Sequence, residues 1–316
     1  MPPIPLLQLA KGPKPVDTDT VSCHFALFLT SLMPSHVLLL ALTSAILHAI
    51  WNTLARSRPD PGFGYAAMVF SAGLLGLPLL GVIGSPDPAC FPYIVASCLF
   101  NLMTMRLTML AYDRLPLSLA YPISRAAAPV FVGMMQILIF NEESANAAIV
   151  LGIGVICGAL LLLGLSAKSG DKVDQRGLLI ALLAGVFTGA VVLVDSRGIR
   201  LAGTGVEAVI GYGAMAAILN AVMLLVTMFF EGSRPRAIMR NNFRFGVMGS
   251  LISLTSFILI LKAYQFGPVA PASAVRETSV VFATAFAGWW LKETIGRLRW
   301  VAVLMALGGI VIIKLG

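Results

Sequence analysis

Charged residues are scarce in this chain. Asp, Glu, Lys and Arg together make up 11% of its 316 residues, and hydrophobic residues make up 58%. A soluble domain carries about a quarter charged residues. Water therefore cannot be the main surroundings of the chain, and a soluble enzyme or regulatory domain is excluded.

Histidine and cysteine are also few. The three histidines all lie within the first 48 residues, and the four cysteines (Cys23, Cys90, Cys98 and Cys157) lack metal-ligand spacing. Phosphate-binding loops, nucleophile elbows and dinucleotide fingerprints are absent as well. We therefore expect no catalytic residue, metal or cofactor, and no enzymatic activity. The net charge is +8, and the basic residues lie mainly in short loops between the membrane spans, as orientation signals do. No nucleic-acid partner is therefore expected.

Most of the chain consists of long stretches with few or no charged residues. Many of them are long enough to cross a bilayer, since a helix needs about 20 residues to do so. Because these stretches do not alternate apolar and polar residues, they predict helices and not a membrane barrel. We predict an all-α, multi-pass integral membrane protein whose partner is the lipid bilayer, in a bacterial inner (plasma) membrane. The predicted spans are 36–55, 62–84, 89–112, 115–140, 144–166, 177–194, 206–230, 243–264, 269–291 and 298–315.

The N-terminal residues differ from this pattern. Residues 1–20 are rich in proline and polar residues, and the apolar run 21–33 is too short to span a membrane alone. Residues 1–32 are predicted to be a disordered extension, or an addition before a natural start at Met33.

The chain repeats itself. With a shift of 151 residues, Arg125 falls on Arg276 and Glu142 falls on Glu293. The repeats predicted from this match are 36–166 and 176–316, with five spans each. A repeat with an odd number of spans ends on the opposite face, so the second copy is predicted to be inverted. Inverted repeats are typical of transporters that work by alternating access.

Two motifs carry a family resemblance. The tract "AYDRLPLSLAYPISRAAAPVFVGMMQILIFNEESANAAIVLGIGVICGALLLL", 111–163, and "LHAIWNTLARS", 47–57, resemble the drug/metabolite transporter (DMT) superfamily, in particular EamA-type carriers. The resemblance implies ten helices, a central cavity lined by helices 1, 3, 4, 6, 8 and 9, and export or exchange of small polar metabolites. The family's acidic Gly-Glu loop motif reads Asn141-Glu142 and Lys292-Glu293 here, so no role is carried over to it.

The two repeated arginines need an explanation. An arginine deep in a membrane costs about 2.5–3.5 kcal/mol. Either Glu277 neutralises them in an internal ion pair, or they lie in a water-filled cavity and bind an anionic substrate. The two interpretations are compatible, since an arginine paired in the empty site can release Glu277 when an anion binds. The candidate substrate-binding residues on these two helices are Arg125, Arg276, Glu277, Tyr121, Ser124 and Ser273.

Other candidates lie on the first and third helices. His48, Trp51 and Asn52 share one face of the first helix and form either a packing patch or a cavity wall. Asn101 and Arg106 follow in the third span, and Arg106 is expected to be an internal charge partner or a substrate contact. Proton coupling is predicted through Glu277 or His48. Asp195 and Lys262, near span ends, are expected to face solvated loops, and the glycines 152, 154, 158, 308 and 309 are expected to pack helices closely.

Two features of the sequence predict opposite orientations of the chain in the membrane. Basic residues are concentrated in the connections after the odd-numbered spans, which places those connections in the cytoplasm. The family resemblance implies instead that both termini are cytoplasmic.

The function predicted from these features is secondary transport. The chain is expected to export or exchange a small polar, anionic or zwitterionic metabolite by alternating access. Two rival functions are a flippase for a lipid-linked metabolite and, with less support, a membrane-embedded lipid-modifying enzyme.

Overall fold

The structure is a computed structural model that describes residues 33–56, 61–115, 117–138, 147–165, 174–231, 235–283 and 297–315. Helices and their connections account for all of these residues. The extension 1–32 and the acidic motifs at 141–142 and 292–293 lie outside the described residues.

Ten α-helices follow one another along the described chain. They are α1 (Ser35–Arg56), α2 (Pro61–Ile83), α3 (Phe91–Tyr112), α4 (Leu117–Leu138), α5 (Ala147–Leu165), α6 (Gln175–Leu201), α7 (Val206–Phe230), α8 (Pro235–Phe266), α9 (Val269–Glu277) and α10 (Arg297–Leu315). A short 3₁₀ turn, Pro88–Cys90, precedes α3. Six of the described helices, α1, α2, α3, α6, α7 and α8, are long and apolar enough to cross a bilayer, and α5 and α10 contain shorter apolar segments.

Two helices extend beyond the spans predicted from hydropathy. Helix α6 continues past 194 to Leu201, because Asp195 is buried inside the bundle and does not begin a loop. Helix α8 begins at Pro235, before the predicted start at 243. Its first turns contain Arg236 and Arg240, which the hydropathy pattern places in the connection before the helix. Proline suits the first position of a helix and arginine is a strong helix former. Hydropathy therefore locates the apolar part of each helix and misses its polar extension.

The helices pack mainly through small side chains. The principal contacts pair α3 with α6, α5 with α10, α2 with α7, α4 with α6, α2 with α8, α1 with α8 and α4 with α5, and α1 also contacts α9. On α1 and α8, Ser44 and Ser256 each donate a hydroxyl hydrogen bond to the other residue's carbonyl oxygen, at 2.7 and 2.8 Å. Many large apolar side chains, such as Leu77 and Phe229, point outward. This inside-out pattern suits a bundle whose solvent is lipid.

The turns between helices define two ends of the bundle. At the first end, Leu115 of the α3–α4 turn packs against Gly177 near the start of α6, and Arg114 pairs with Asp174 at 3.4 Å. The N–H of Arg176 donates to Asp174 and, with Arg114, holds the pKa of that carboxyl below its ordinary value.

At the second end, Gly267 of the α8–α9 turn packs against Val37 near the start of α1. Arg200, near the C-terminus of α6, donates to the carbonyl oxygens of Tyr264 and Gly267, each at 3.2 Å. Helices α1 and α6 therefore begin at opposite ends of the bundle.

Candidate functional site

A buried ion pair joins α4 and α9. A guanidinium nitrogen of Arg125 lies 3.2 Å from a carboxylate oxygen of Glu277. The Glu277 side chain is 2% exposed and that of Arg125 is 20% exposed. Removing one partner of such a pair would leave a buried charge, at a cost of about 3–5 kcal/mol. The pair that the sequence offers as one explanation of the arginines is present.

Aromatic and amide side chains surround this pair. The Arg125 guanidinium lies over the Tyr121 ring, 5.0 Å from its centre, and the Tyr121 hydroxyl accepts a hydrogen bond from the Asn52 amide at 2.8 Å. Tyr65 on α2 is within electrostatic range of the guanidinium. We call Asn52, Tyr65, Tyr121, Arg125 and Glu277 the Arg125 cluster. Four helices contribute to it.

The backbone is irregular on both sides of the ion pair. Pro129 lies inside α4, and because proline has no N–H, the carbonyl of Arg125 loses its usual helical donor. Helix α9 ends at Glu277, where the N–H of Thr278 bonds to the carbonyl of Val275 only three residues back, and residues 279–283 are helical again. The Thr278 hydroxyl donates to the same carbonyl at 2.6 Å and so competes with the regular ladder. Irregular backbone at membrane depth is tolerated only inside protein or along a water-filled cavity.

A second polar cluster lies nearer the second end. Asp195 on α6 is 2% exposed and accepts a hydrogen bond from the Tyr212 hydroxyl at 2.9 Å. The Ser97 hydroxyl also lies against this carboxylate, and Arg276 is within electrostatic range. Tyr264 lies within range of both Asp195 and Arg276. We call Ser97, Asp195, Tyr212, Tyr264 and Arg276 the Asp195 cluster. The expectation that Asp195 faces a solvated loop is wrong.

The structure thus separates the two arginines that the repeat relates. Arg125 pairs with Glu277, whereas Arg276 lies within electrostatic range of Asp195, although Arg276 and Glu277 are neighbours on α9. Each arginine has a tyrosine from the preceding helix within electrostatic range, Tyr112 for Arg125 and Tyr264 for Arg276. Each of these tyrosines follows an alanine, in the Ala-Tyr pairs at 111–112 and 263–264.

The remaining candidates of α1 and α4 lie close to the Arg125 cluster. The rings of His48 and Trp51 meet edge to face at 4.7 Å, and the Trp51 ring is 6.4 Å from that of Tyr65. Ser124 donates its hydroxyl to the carbonyl of Tyr121 on its own helix. His48, Trp51 and Asn52 therefore extend the Arg125 cluster along α1, whereas the Ser124 hydroxyl bonds to its own backbone.

Three candidates lie elsewhere. Ser273 is buried on α9 beside Tyr264. Asn101 donates to the side chain of Asn220 on α7 at 3.1 Å. Arg106 pairs with Glu231, and its side chain is 51% exposed. Asn101 and Arg106 connect α3 to α7 and are not brought to either arginine cluster.

Several residues of these clusters could not be picked out from the sequence. Tyr212 lies in a mostly apolar helix, and only its contact with Asp195 gives it a role. Gly198, one turn after Asp195, lets it approach, because a Cβ there would lie 2.7 Å from the Tyr212 hydroxyl. Gln136 accepts a hydrogen bond from the N–H of Ala270 at 3.0 Å and so caps α9 from another helix. Long-range contacts of this kind leave no local signal.

Comparisons with known proteins agree with this architecture. Residues 175–315 match the EamA-like transporter family. A solved structure, titled only as the crystal structure of a protein, is similar in fold: its TM-score is 0.66 at 17% sequence identity, over 88% of this chain and 98% of the other. A search of curated proteins returned no match. The apolar helices and the family match together make the chain an integral, multi-pass membrane protein, and the transporter family fits the expectation of a non-enzyme. This match over residues 175–315 agrees with the resemblance of the sequence to EamA-type carriers of the DMT superfamily.

Proposed function

We propose that this protein is a secondary transporter that exports or exchanges a small polar, anionic or zwitterionic metabolite by alternating access. The observation that carries the proposal is the Arg125–Glu277 pair, buried where both helices depart from regular geometry. In transporters, substrate sites lie near mid-membrane at interrupted helices. Arg125 is the proposed anchor for the anionic group, because a guanidinium binds carboxylates and phosphates in a planar, bidentate manner.

Glu277 is proposed to compete with the substrate. In the empty site it neutralises Arg125, which offsets the cost of a charged group at this depth. An incoming anion takes its place on the guanidinium, and Glu277 returns when the anion leaves. The Tyr121 ring, which lies under the guanidinium, holds it in place during the exchange.

Two inverted five-helix repeats, 36–166 and 176–316, are proposed as the framework. Helix contacts support this framework, in which each helix of the first repeat corresponds to the helix five places later. The contact of α3 with α6 corresponds to that of α8 with α1, and the contact of α4 with α6 corresponds to that of α9 with α1. Helices α1 and α6 begin at opposite ends of the bundle, as inversion requires. The Arg125 cluster lies toward the first end of the bundle and the Asp195 cluster toward the second end. This arrangement is compatible with a transport path that has one binding position toward each end.

The coupling ion and the host membrane are proposed on the sequence alone. The sequence favours proton coupling through Glu277 or His48, and a bacterial inner membrane as the location. No contact among the described residues favours a flippase or a lipid-modifying enzyme.

The test begins with purified protein and a metabolite library, screened for compounds that raise the melting temperature at two pH values. Arg125→Ala is expected to weaken binding of the compounds found by roughly 10- to 150-fold, since a hydrogen bond to a charged group is worth about 1.5–3 kcal/mol. Arg114→Ala is the matched control, because it removes an arginine from an exposed ion pair, and it should bind normally. A folded Arg125→Ala protein that binds and transports like the wild type would reject the proposal.

A further inference from the structure

Asp195 is the second buried carboxylate whose environment the structure describes in detail. It lies on α6, and its neighbours come from α3, α7, α8 and α9. Its direct partners are hydroxyl groups: Tyr212 donates at 2.9 Å, and Ser97 also lies against the carboxylate. Anion binding at Arg125 makes no use of this arrangement.

The two buried carboxylates differ in the chemistry of their partners. Glu277 is held by a guanidinium, which can only donate hydrogen bonds, so this contact suits the carboxylate form alone. A hydroxyl can donate or accept. Tyr212 and Ser97 can therefore hold Asp195 as a carboxylate and, after their O–H bonds turn, as a carboxylic acid. The geometry of the Asp195 cluster accommodates both protonation states without moving a helix.

We propose that Asp195 is the proton-binding site that couples proton movement to transport. A proton from water on one side forms an O–H bond with a carboxylate oxygen of Asp195, and that bond breaks when the site opens to the other side. The coupling part of this proposal rests on the transport function proposed above. It assigns the coupling role to a residue other than Glu277 or His48.

Arg276 supplies the connection to the substrate. Its Nε is buried and has no hydrogen-bond partner among the described residues, and Asp195 is an electrostatic counter-charge within range. Protonation of Asp195 removes that counter-charge and leaves Arg276 with an uncompensated positive charge. An anion then binds more favourably near Arg276, and by linkage the bound anion favours the proton on Asp195.

Other titratable groups surround this site. On α4, Arg125 pairs with Glu277, and its guanidinium lies over the Tyr121 ring. The groups near Asp195 and its tyrosine partners are Cys90 in the 3₁₀ turn, Cys98 on α3, Tyr212 on α7, Tyr264 on α8, and Arg276 and Glu277 on α9. Since the described residues contain no cluster of three or more His, Cys, Asp or Glu side chains suited to a metal, a proton is the ion that this single carboxylate fits best.

The experiment is infrared difference spectroscopy of the full chain in lipid nanodiscs, with hydrogen ions as the probe and sodium at fixed pH as the comparison. Acidification of the wild type should produce a carbonyl band of a buried carboxylic acid. Asp195→Asn should lose that band, and the matched variant Glu277→Gln should keep it. A wild-type band that survives Asp195→Asn, or that disappears in Glu277→Gln, would overturn the assignment. A band that responds to sodium at fixed pH but not to acid would overturn the choice of ion.

A second variant guards against misfolding. Tyr212→Phe keeps the ring and removes the hydrogen bond, so the carbonyl band should remain and change frequency; an unchanged frequency contradicts the proposed site. These spectra need no transported compound, so their result is independent of the transport function.

In proteoliposomes, Asp195→Asn is tested for exchange of a compound that raised the melting temperature in the screen, with and without an imposed pH gradient. It should lose the response of that flux to an imposed pH gradient. A retained response would overturn the coupling role and leave the transport function standing.

Discussion

Tyr121 makes two separable contacts with the site. Its ring lies under the Arg125 guanidinium, 5.0 Å from it, and its hydroxyl accepts from Asn52 at 2.8 Å. A cation over an aromatic ring is worth about 0.5–2 kcal/mol, and a buried donor left without its partner costs about 1–3 kcal/mol. The two contributions can be separated because phenylalanine keeps the ring without the hydroxyl.

Tyr121→Phe is expected to lower the stability of the folded protein by about 1–3 kcal/mol, since Asn52 loses its acceptor, while anion binding stays near normal. Tyr121→Leu should also weaken binding, by roughly 2- to 30-fold. Thermal unfolding and ligand titration of the two purified variants separate these effects. Equal losses of binding in both variants would contradict a role for the ring.

Sequence reasoning at this scale succeeds for Arg125 and Glu277 and fails for Asp195. The cost of a buried arginine must be offset, and the Arg125–Glu277 ion pair is one of the two offsets that the sequence offers. Asp195 ends an apolar stretch, and a hydropathy pattern cannot distinguish a charge leaving the membrane from one buried in a longer helix. Only its contact with Tyr212, from the next helix, makes the difference.

Helices α5 and α10 approach each other at two glycines. A Cβ on Gly152 would lie 2.5 Å from Ile313 and 2.9 Å from the carbonyl oxygen of Gly309, and a Cβ on Gly309 would meet Ile156 and Gly152 in the same way. Gly154 and Gly308 have nothing within 4 Å of that position. Gly152 and Gly309 therefore pack closely, as expected, whereas Gly154 and Gly308 do not.

Gly152→Ala is therefore expected to destabilise the protein by about 1–3 kcal/mol, because the two helices must separate or strain. Gly154→Ala, on the same helix, should be neutral or stabilise by up to about 1 kcal/mol, since alanine favours the helix. Thermal unfolding of both variants in the same detergent is the measurement. Equal effects would show that the contact surface of α5 is misassigned.

The positions of the elements were predictable from the sequence, but their contacting faces were not. The helix bounds agree with most of the predicted spans to within a few residues, because apolar length is a local property. The exceptions are the end of α6, the start of α8 and the ninth span, 269–291, in which α9 ends at Glu277 and residues 284–291 lie outside the described residues. Helix α5 is apolar on all sides, so its sequence does not indicate which glycine faces α10. That information exists only in the packed bundle.

The proposed inversion determines which side of the membrane each turn occupies. Asp113, in the turn at the first end, and Thr204, at the second end, are both exposed. We expect Asp113→Cys and Thr204→Cys, in a chain without its four native cysteines, to react with a membrane-impermeant maleimide from opposite sides. The side that labels Asp113→Cys also decides between the orientation from charge bias and that from family resemblance. Labelling of both positions from one side would contradict the inverted arrangement.

At the scale of the whole molecule, function depends on whether Arg125 exchanges Glu277 for an anion. Titration of a compound found in the screen into Glu277→Gln tests this most directly, with Glu231→Gln, from the exposed pair with Arg106, as the matched control. Removing the competitor should tighten binding roughly tenfold and slow exchange, while the control binds like the wild type. A folded Glu277→Gln protein whose affinity is unchanged or weaker would show that the pair only holds the helices together.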